Sequence, residues 1–230
     1  MKSEAINLTI ELKGDWTSEE SVRLKTAFDS AMKDESNLPN GILTMRGMSG
    51  RKYRHLINKL VNLTPDARYL EIGSWAGSTA CSAIYGNKCK ALCIDNWSQF
   101  GGPRDEFFQN IDKFGNDGVD FHYAESDYVD VDYSQIDKFN IYLFDGPHEE
   151  HHQHAGITIT QAALEDTYFL IVDDWNWKSV RDGTTNALKE LNQTIVSNII
   201  IRTTQNEAHP NPAGPDSDWH NGYFIAVIKK

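Results

Sequence analysis

From about residue 68 onward, short runs of apolar residues alternate with stripes at helical spacing. Runs of this length, nearly continuous in Val, Ile, Leu and aromatic residues, read as strands covered on both faces. Such runs lie at 68–72, 90–95, 119–124, 139–144, 168–172, 197–203 and 223–228. Between them fall helical stripes: 78–86, a stretch around Phe107, Phe108 and Ile111, and one carrying Ala155, Ile159, Ala162 and Ala163. The last, over about 179–191, has Val180, Ala187, Leu188 and Leu191 on one side. Strands alternating with helices predict an α/β domain, a doubly wound parallel sheet with helices on both faces. Sheets of this kind place their sites at the carboxyl ends of the strands.

The first 50 residues read differently. Ile6, Leu8, Ile10 and Leu12 alternate with polar residues and predict a half-buried strand. Thr17 with Glu20 makes a capping box for a helix to about Lys33, striped with Val22, Leu24, Phe28, Ala31 and Met32. A turn at 37–41 and a loop over 42–50 lead to a helix of 51–63. That helix has Tyr53, Leu56, Ile57, Leu60 and Val61 as its apolar face, which leaves Arg51, Lys52, Arg54 and Lys59 for a solvated one. Residues 1–50 are therefore expected as a small cap on a domain spanning 51–230. Near the other end, 204–222 holds Pro210, Pro212 and Pro215, an irregular loop long enough to be functional or mobile.

A chain of 230 residues suits one domain with a full core. No apolar run is long enough to cross a bilayer, and Met1-Lys2-Ser3-Glu4 begins no signal-peptide core, which predicts a cytoplasmic protein. Cys81, Cys89 and Cys93 form no C-x-x-C pair and are expected as reduced thiols. A net charge of −11 opposes nucleic acid and anionic membranes as partners and leaves a small molecule. The basic run from Arg46 to Lys59 is the local exception.

Five predicted strands end in acids: Glu71, Asp95, Asp127, Asp145 and Asp173. One acid after a strand is ordinary turn chemistry, but five on one rim point to a site. The first strand breaks into Gly73-Ser74-Trp75-Ala76-Gly77, whose G-x-x-x-G spacing is neither the G-x-G-x-x-G of nicotinamide and flavin proteins nor a phosphate loop. A nucleotide-dependent oxidoreductase is thereby disfavoured. Residues 148–152 satisfy H-E-x-x-H, the zinc-hydrolase motif, but His148 follows Gly146-Pro147 at a strand end, where a helix is only starting.

Over about residues 45–230 the chain resembles the class I S-adenosylmethionine-dependent methyltransferases. The resemblance rests on the run from Glu71 through Thr79, on Asp95 after the second strand, and on Ser126-Asp127 after the third. It implies a Rossmann-like seven-stranded sheet, mostly parallel with a reversed C-terminal strand. It also implies cofactor contacts from Glu71, Gly73, Ser74, Gly77, Ser78 and Thr79, with the glycines admitting the methionine half. Asp95 would hold the ribose hydroxyls, Trp97 would pack beside the adenine, and Ser126-Asp127 would contact it. Met48 would cover the methyl end.

Within that superfamily the chain looks most like the metal-dependent O-methyltransferases, of the catechol and macrolide-sugar types. The resemblance assigns magnesium to Asp145, Asp173 and Asp174, a hard-oxygen set suited to that ion. His148 stands where catechol-type enzymes place a lysine base, so His148 and Asp145 are the expected catalytic pair. A bound cation acidifies a hydroxyl, and in-line methyl transfer then needs alignment and exclusion of water. The expected function is methylation of a hydroxyl on a small molecule, such as a sugar or a vicinal diol. A catalytically silent binding module is the alternative, with the zinc hydrolase behind it. Trp175, Trp177, Trp219 and His220 are expected to line the acceptor pocket or to form a homo-oligomer interface.

Overall fold

The computed structural model describes residues 8–230, so the part of the N-terminal alternation at Ile6 and Asn7 lies outside the described residues. In chain order the elements are β1 (Thr9–Gly14), α1 (Glu19–Met32), α2 (Asn40–Leu43), α3 (Arg51–Leu63), β2 (Arg68–Ile72), α4 (Ser78–Ile84), β3 (Cys89–Asp95) and α5 (Arg104–Phe114). There follow β4 (Val119–Glu125), β5 (Phe139–Phe144), α6 (Glu150–Thr158), β6 (Leu164–Val172), α7 (Lys178–Glu190), β7 (Thr194–Arg202) and β8 (Tyr223–Lys229). One sheet runs in the order β1-β7-β8-β6-β5-β2-β3-β4. Strands β2 to β6 are mutually parallel, and β8 enters reversed between β6 and β7.

The sheet has eight strands where seven were expected. β1 adds antiparallel to β7, with Thr9 opposite Arg202 and Gly14 opposite Ser197. This pairing covers what would otherwise be an open edge at β7. It buries Ile10 in part but leaves Leu8 and Leu12 exposed. The helix cap also falls one residue later than the capping box suggests. Ser18 Oγ accepts the Ser21 N–H at 3.1 Å, while Thr17 donates through both N–H and hydroxyl to Asp15.

Period-two alternation along the central strands splits the core into two layers. Tyr69, Ile141, Phe169 and Ile225 face α1 and α3, where Leu24, Phe28, Tyr53, Leu56 and Leu60 meet them. Their neighbours Leu70, Tyr142, Leu170 and Ala226 face the other layer with Ile157, Val180 and Ala187. The stripe expected to run to Ala163 stops being α-helical at Thr158 and tightens into a 3₁₀ turn, which leaves Ile159 exposed.

Arg54 corrects the solvated face expected for α3. It is fully buried, and its Nη1 donates to Ile42 O at 2.7 Å and Met45 O at 3.0 Å, while Nε donates to Ser49 Oγ at 3.0 Å. The guanidinium therefore fastens the 42–49 segment onto the helix, and burial pulls its pKa down to about 10. The 204–222 loop is tied down as well. Ser217 O and Asp218 O accept the Arg51 and Lys52 N–H groups at the start of α3, and Asn176 bonds Thr203 and Asn221.

Candidate active site

The carboxyl ends of β2 to β6 open into one cleft. At its centre Gly73 has φ +87°, and a Cβ there would lie 1.9 Å from Asp145 O, so the turn sits directly against the end of β5. Asp95 closes β3, and both carboxylate oxygens are oriented by backbone donors: Oδ2 by Trp75 N–H at 2.8 Å and Oδ1 by Trp97 N–H at 2.6 Å. Each oxygen keeps a further lone pair for a ligand hydroxyl. Met48, Trp75, Asn96, Phe100, Ser126, Asp127 and Tyr128 complete this half of the cleft.

The remaining residues expected at the cofactor build the support beneath the cleft. Glu71 is fully buried, accepts from Thr79 Oγ1 at 2.9 Å and from the Tyr69 hydroxyl, and so points inward. Burial outweighs these hydrogen bonds and raises its pKa to about 7. Ser78 pairs its hydroxyl with Ser49 at 3.0 Å, and Ser74 is buried. Gly77 takes φ +84° before α4, with Phe107 against it. Trp97 packs on Phe107 and Phe108 and donates Nε1 to Trp75 O at 2.9 Å. Its ring is thus part of the wall's interior rather than a cleft surface.

The other half of the cleft holds Asp145, His148, Asp173 and Asp174. One donor atom from each of Asp145, His148 and Asp174 lies within 4.8 Å of the others, a grouping able to hold a cation. His148 Nε2 is 3.0 Å from Asp174 Oδ2, and Asn221 Nδ2 donates to Asp174 Oδ1 at 2.6 Å. Asp173 is not in this trio; its Oδ1 turns back to accept the Asp174 N–H at 2.7 Å. His148 takes the place in the cluster that the sequence reading gave to Asp173. Desolvation, then the charges of Asp174, Glu71 and Asp95, hold the Asp145 pKa well above the usual carboxylate range. Asp173 is raised too, by burial and then by Asp145 and Asp174. No lysine or arginine lines the cleft among the described residues, so this negative charge has no protein counter-ion there. The zinc-hydrolase arrangement is not formed, because His152 is engaged at Nδ1 by the Tyr128 hydroxyl at 2.8 Å and lies outside the cluster.

Beyond the acids, Trp177, His209 and His220 line the cleft. The His148 and Trp177 rings are 4.8 Å apart, and those of His209 and His220 5.0 Å. His220 Nδ1 accepts the Gly214 N–H at 2.9 Å, and burial lowers its pKa to about 4. Trp175 and Trp219, expected here, are core residues stacked on Phe224 and Phe28. Sequence reading missed Tyr128, His209 and Asn221. The Pro-rich composition around His209 marked only a loop, and nothing local signalled that Asn221 would reach Asp174.

No protein-family model matches the chain, and no curated protein matches it. Solved structures do. A Podospora anserina methyltransferase with bound S-adenosylhomocysteine is 9% identical, with 95% of this chain and 91% of that one covered and a TM-score of 0.56. The O-methyltransferase TomG of Streptomyces achromogenes, solved with S-adenosylmethionine, is 13% identical over 95% and 92%, with a TM-score of 0.52. A proposed RNA methyltransferase from Pyrococcus horikoshii is 14% identical over 91% and 98%, also at 0.52. At such identities the likeness is one of architecture. The chain has the α/β fold of the S-adenosylmethionine-dependent methyltransferases.

Proposed function

We propose that the protein is an S-adenosylmethionine-dependent O-methyltransferase, assisted by a divalent cation, that methylates a hydroxyl of a small molecule. The observation that carries the reading is a cleft with five aspartates, Asp95, Asp127, Asp145, Asp173 and Asp174, and no cationic side chain, on the rim where this fold binds its ligands. Such a cleft suits a ligand that is itself positive, and both a sulfonium cofactor and a metal ion are. Asp95 fits a ribose, because its carboxylate is fixed by Trp75 and Trp97 and retains acceptor capacity. Gly73 fits close approach of the cofactor, since the turn presents no Cβ. The cofactor would supply an electrophilic methyl group.

Asp145 and Asp174, with the neighbouring Asp173, would form the donor set for magnesium or a similar ion, which would acidify and fix a bound hydroxyl. His148 is the proton acceptor in this reading. Its contact with Asp174 orients the imidazole as a carboxylate orients a catalytic base elsewhere. Trp177, beside His148, covers the reacting oxygen and helps to exclude water.

A nucleic-acid acceptor, suggested by the Pyrococcus relative, is opposed by the net charge of −11 and by the burial of Arg54 within the one local basic run. Calorimetry with S-adenosylhomocysteine tests the reading. Binding is expected in the wild type, and Asp95→Ala is expected to weaken it by about 10- to 100-fold through loss of charge-assisted hydrogen bonds. No binding by the wild type would sink the cofactor reading. Magnesium titration against Asp174→Ala tests the metal clause separately.

A further inference from the structure

The group of donors at the cleft is mixed in its chemistry. Asp145 and Asp174 offer carboxylate oxygens and His148 an imidazole nitrogen, with the three atoms within 4.8 Å of one another. Magnesium takes oxygen ligands, whereas zinc and the transition metals near it accept imidazole and carboxylate together. The acid that would complete an all-oxygen set, Asp173, stands outside the trio, with its Oδ1 occupied by the Asp174 N–H at 2.7 Å.

The mixed set is also the one that the fold holds in place. His148 Nε2 lies 3.0 Å from Asp174 Oδ2, and the other oxygen of Asp174 accepts Asn221 Nδ2 at 2.6 Å. Asn221 is fully buried, and its Oδ1 accepts from Asn176 Nδ2 at 2.8 Å. Asn176 is fully buried as well, and its Oδ1 accepts the Thr203 N–H at 2.9 Å. Polar groups of this kind behind a ligand fix its orientation, as metal sites require. The Trp177 ring, 4.8 Å from that of His148, restricts the imidazole, and the Asp145 backbone is pinned by its N–H to Ile72 O at 2.9 Å.

An ion held through His148 takes the imidazole out of use as a proton acceptor. A neutral imidazole has one nitrogen lone pair to give. With the ion on Nε2 the ring proton sits on Nδ1, and with the ion on Nδ1 that lone pair is spent, so neither nitrogen is free. We propose that Asp145, His148 and Asp174 form an inhibitory site for an ion of the zinc class, which excludes magnesium by sharing two of its carboxylates and occupies the base. The inhibitory consequence rests on the methyltransferase reading, in which His148 accepts the proton. The cleft is then controlled by which divalent ion reaches it.

The test uses the full chain freed of metal by a chelator. Calorimetry with zinc and with magnesium is expected to show zinc bound more tightly and magnesium binding abolished in the zinc-loaded chain. His148→Asn is expected to weaken zinc about tenfold or more and to leave magnesium within about twofold. In a chain carrying isotope-labelled histidine, zinc is expected to shift the ring-nitrogen resonances of one imidazole, magnesium to leave them in place, and His148→Asn to remove the shift. Circular dichroism reports folding of the variant, and His148→Gln is read in its place if folding is lost. The proposal is overturned if both ions bind at once, if magnesium binds as tightly as zinc, or if His148→Asn weakens the two ions alike. Zinc binding that survives His148→Asn unchanged also overturns it, and would place the ion at a different group such as His151 and His152, whose rings are 4.2 Å apart. Failure of the wild type to bind S-adenosylhomocysteine would remove the methyltransferase reading and leave the zinc site standing.

Discussion

Replacing Gly73 by alanine probes the glycine with the least room for a Cβ among the described residues. Two costs are separable. The first is conformational: Gly73 has φ +87°, and an L side chain in that region costs about 1–2 kcal/mol. The second is steric: the new Cβ would stand 1.9 Å from Asp145 O and 2.6 Å from Asp145 C, both backbone atoms. More than an ångström of relief must come from the ends of β2 and β5, which are pinned there by Gly73 N–H to Ile94 O at 3.0 Å and Asp145 N–H to Ile72 O at 2.9 Å. Overpacking of this kind adds about 1–3 kcal/mol. Gly73→Ala should therefore lose about 2–5 kcal/mol in urea unfolding analysed by linear extrapolation. Gly101 provides the control, because it has φ +82° and a Cβ added there would meet nothing within 4 Å, so Gly101→Ala should show the conformational cost alone. Equal losses for the two variants would refute the steric account. Relief of the clash moves Asp145, so if Asp145 is a cation ligand as proposed, magnesium affinity should fall in Gly73→Ala and not in Gly101→Ala.

Glu71 should make stability pH-dependent in an unusual direction. Its pKa rises from 4.5 to about 7 on folding, so the folded chain binds the proton more tightly and the penalty grows as pH rises between those values. Glu71→Gln removes that penalty: relative to wild type the variant should gain up to about 3 kcal/mol between pH 4.5 and pH 8, and an unchanged difference would exclude the effect. Arg54→Met keeps an unbranched apolar stem but removes the guanidinium and leaves Ile42 O and Met45 O without their donor. A loss of about 2–4 kcal/mol, with faster proteolysis across 42–49, is expected, whereas a solvated arginine would give a change within about 0.5 kcal/mol.

Much of the fold was legible because the strands announce themselves. Runs such as Phe139 to Phe144 are covered on both faces and leave little doubt of period or place, and the acids that end them mark the rim. What could not be read was direction after each strand stops. Trp97 and Asn96 are adjacent, yet one is packed on Phe107 while the other lines the cleft. Arg54 was misplaced for a related reason. Its helical position borders the apolar stripe, and only the carbonyls of a distant irregular segment make its burial tolerable. β1 was expected in a cap because alternation says nothing about which edge a strand will meet.

Asp173 and Asp174 show what this limit means for chemistry. Read as a pair, they suggest two equivalent ligands for one ion. Consecutive residues leaving a strand diverge, however, and Asp174 adopts φ +57°, which ends the extended run and sends its carboxylate toward His148 and Asn221. Asp173 stays with the strand, accepts the N–H of its neighbour, and lies close enough to Tyr53 and Tyr223 to help raise both phenol pKa values. Those two rings stack at 3.9 Å in the core layer shared with α1 and α3. One acid therefore faces His148 and Asn221, while the other is held by its neighbour's N–H on the side of Tyr53 and Tyr223. Adjacent in sequence, the two aspartates therefore have different partners and are not interchangeable.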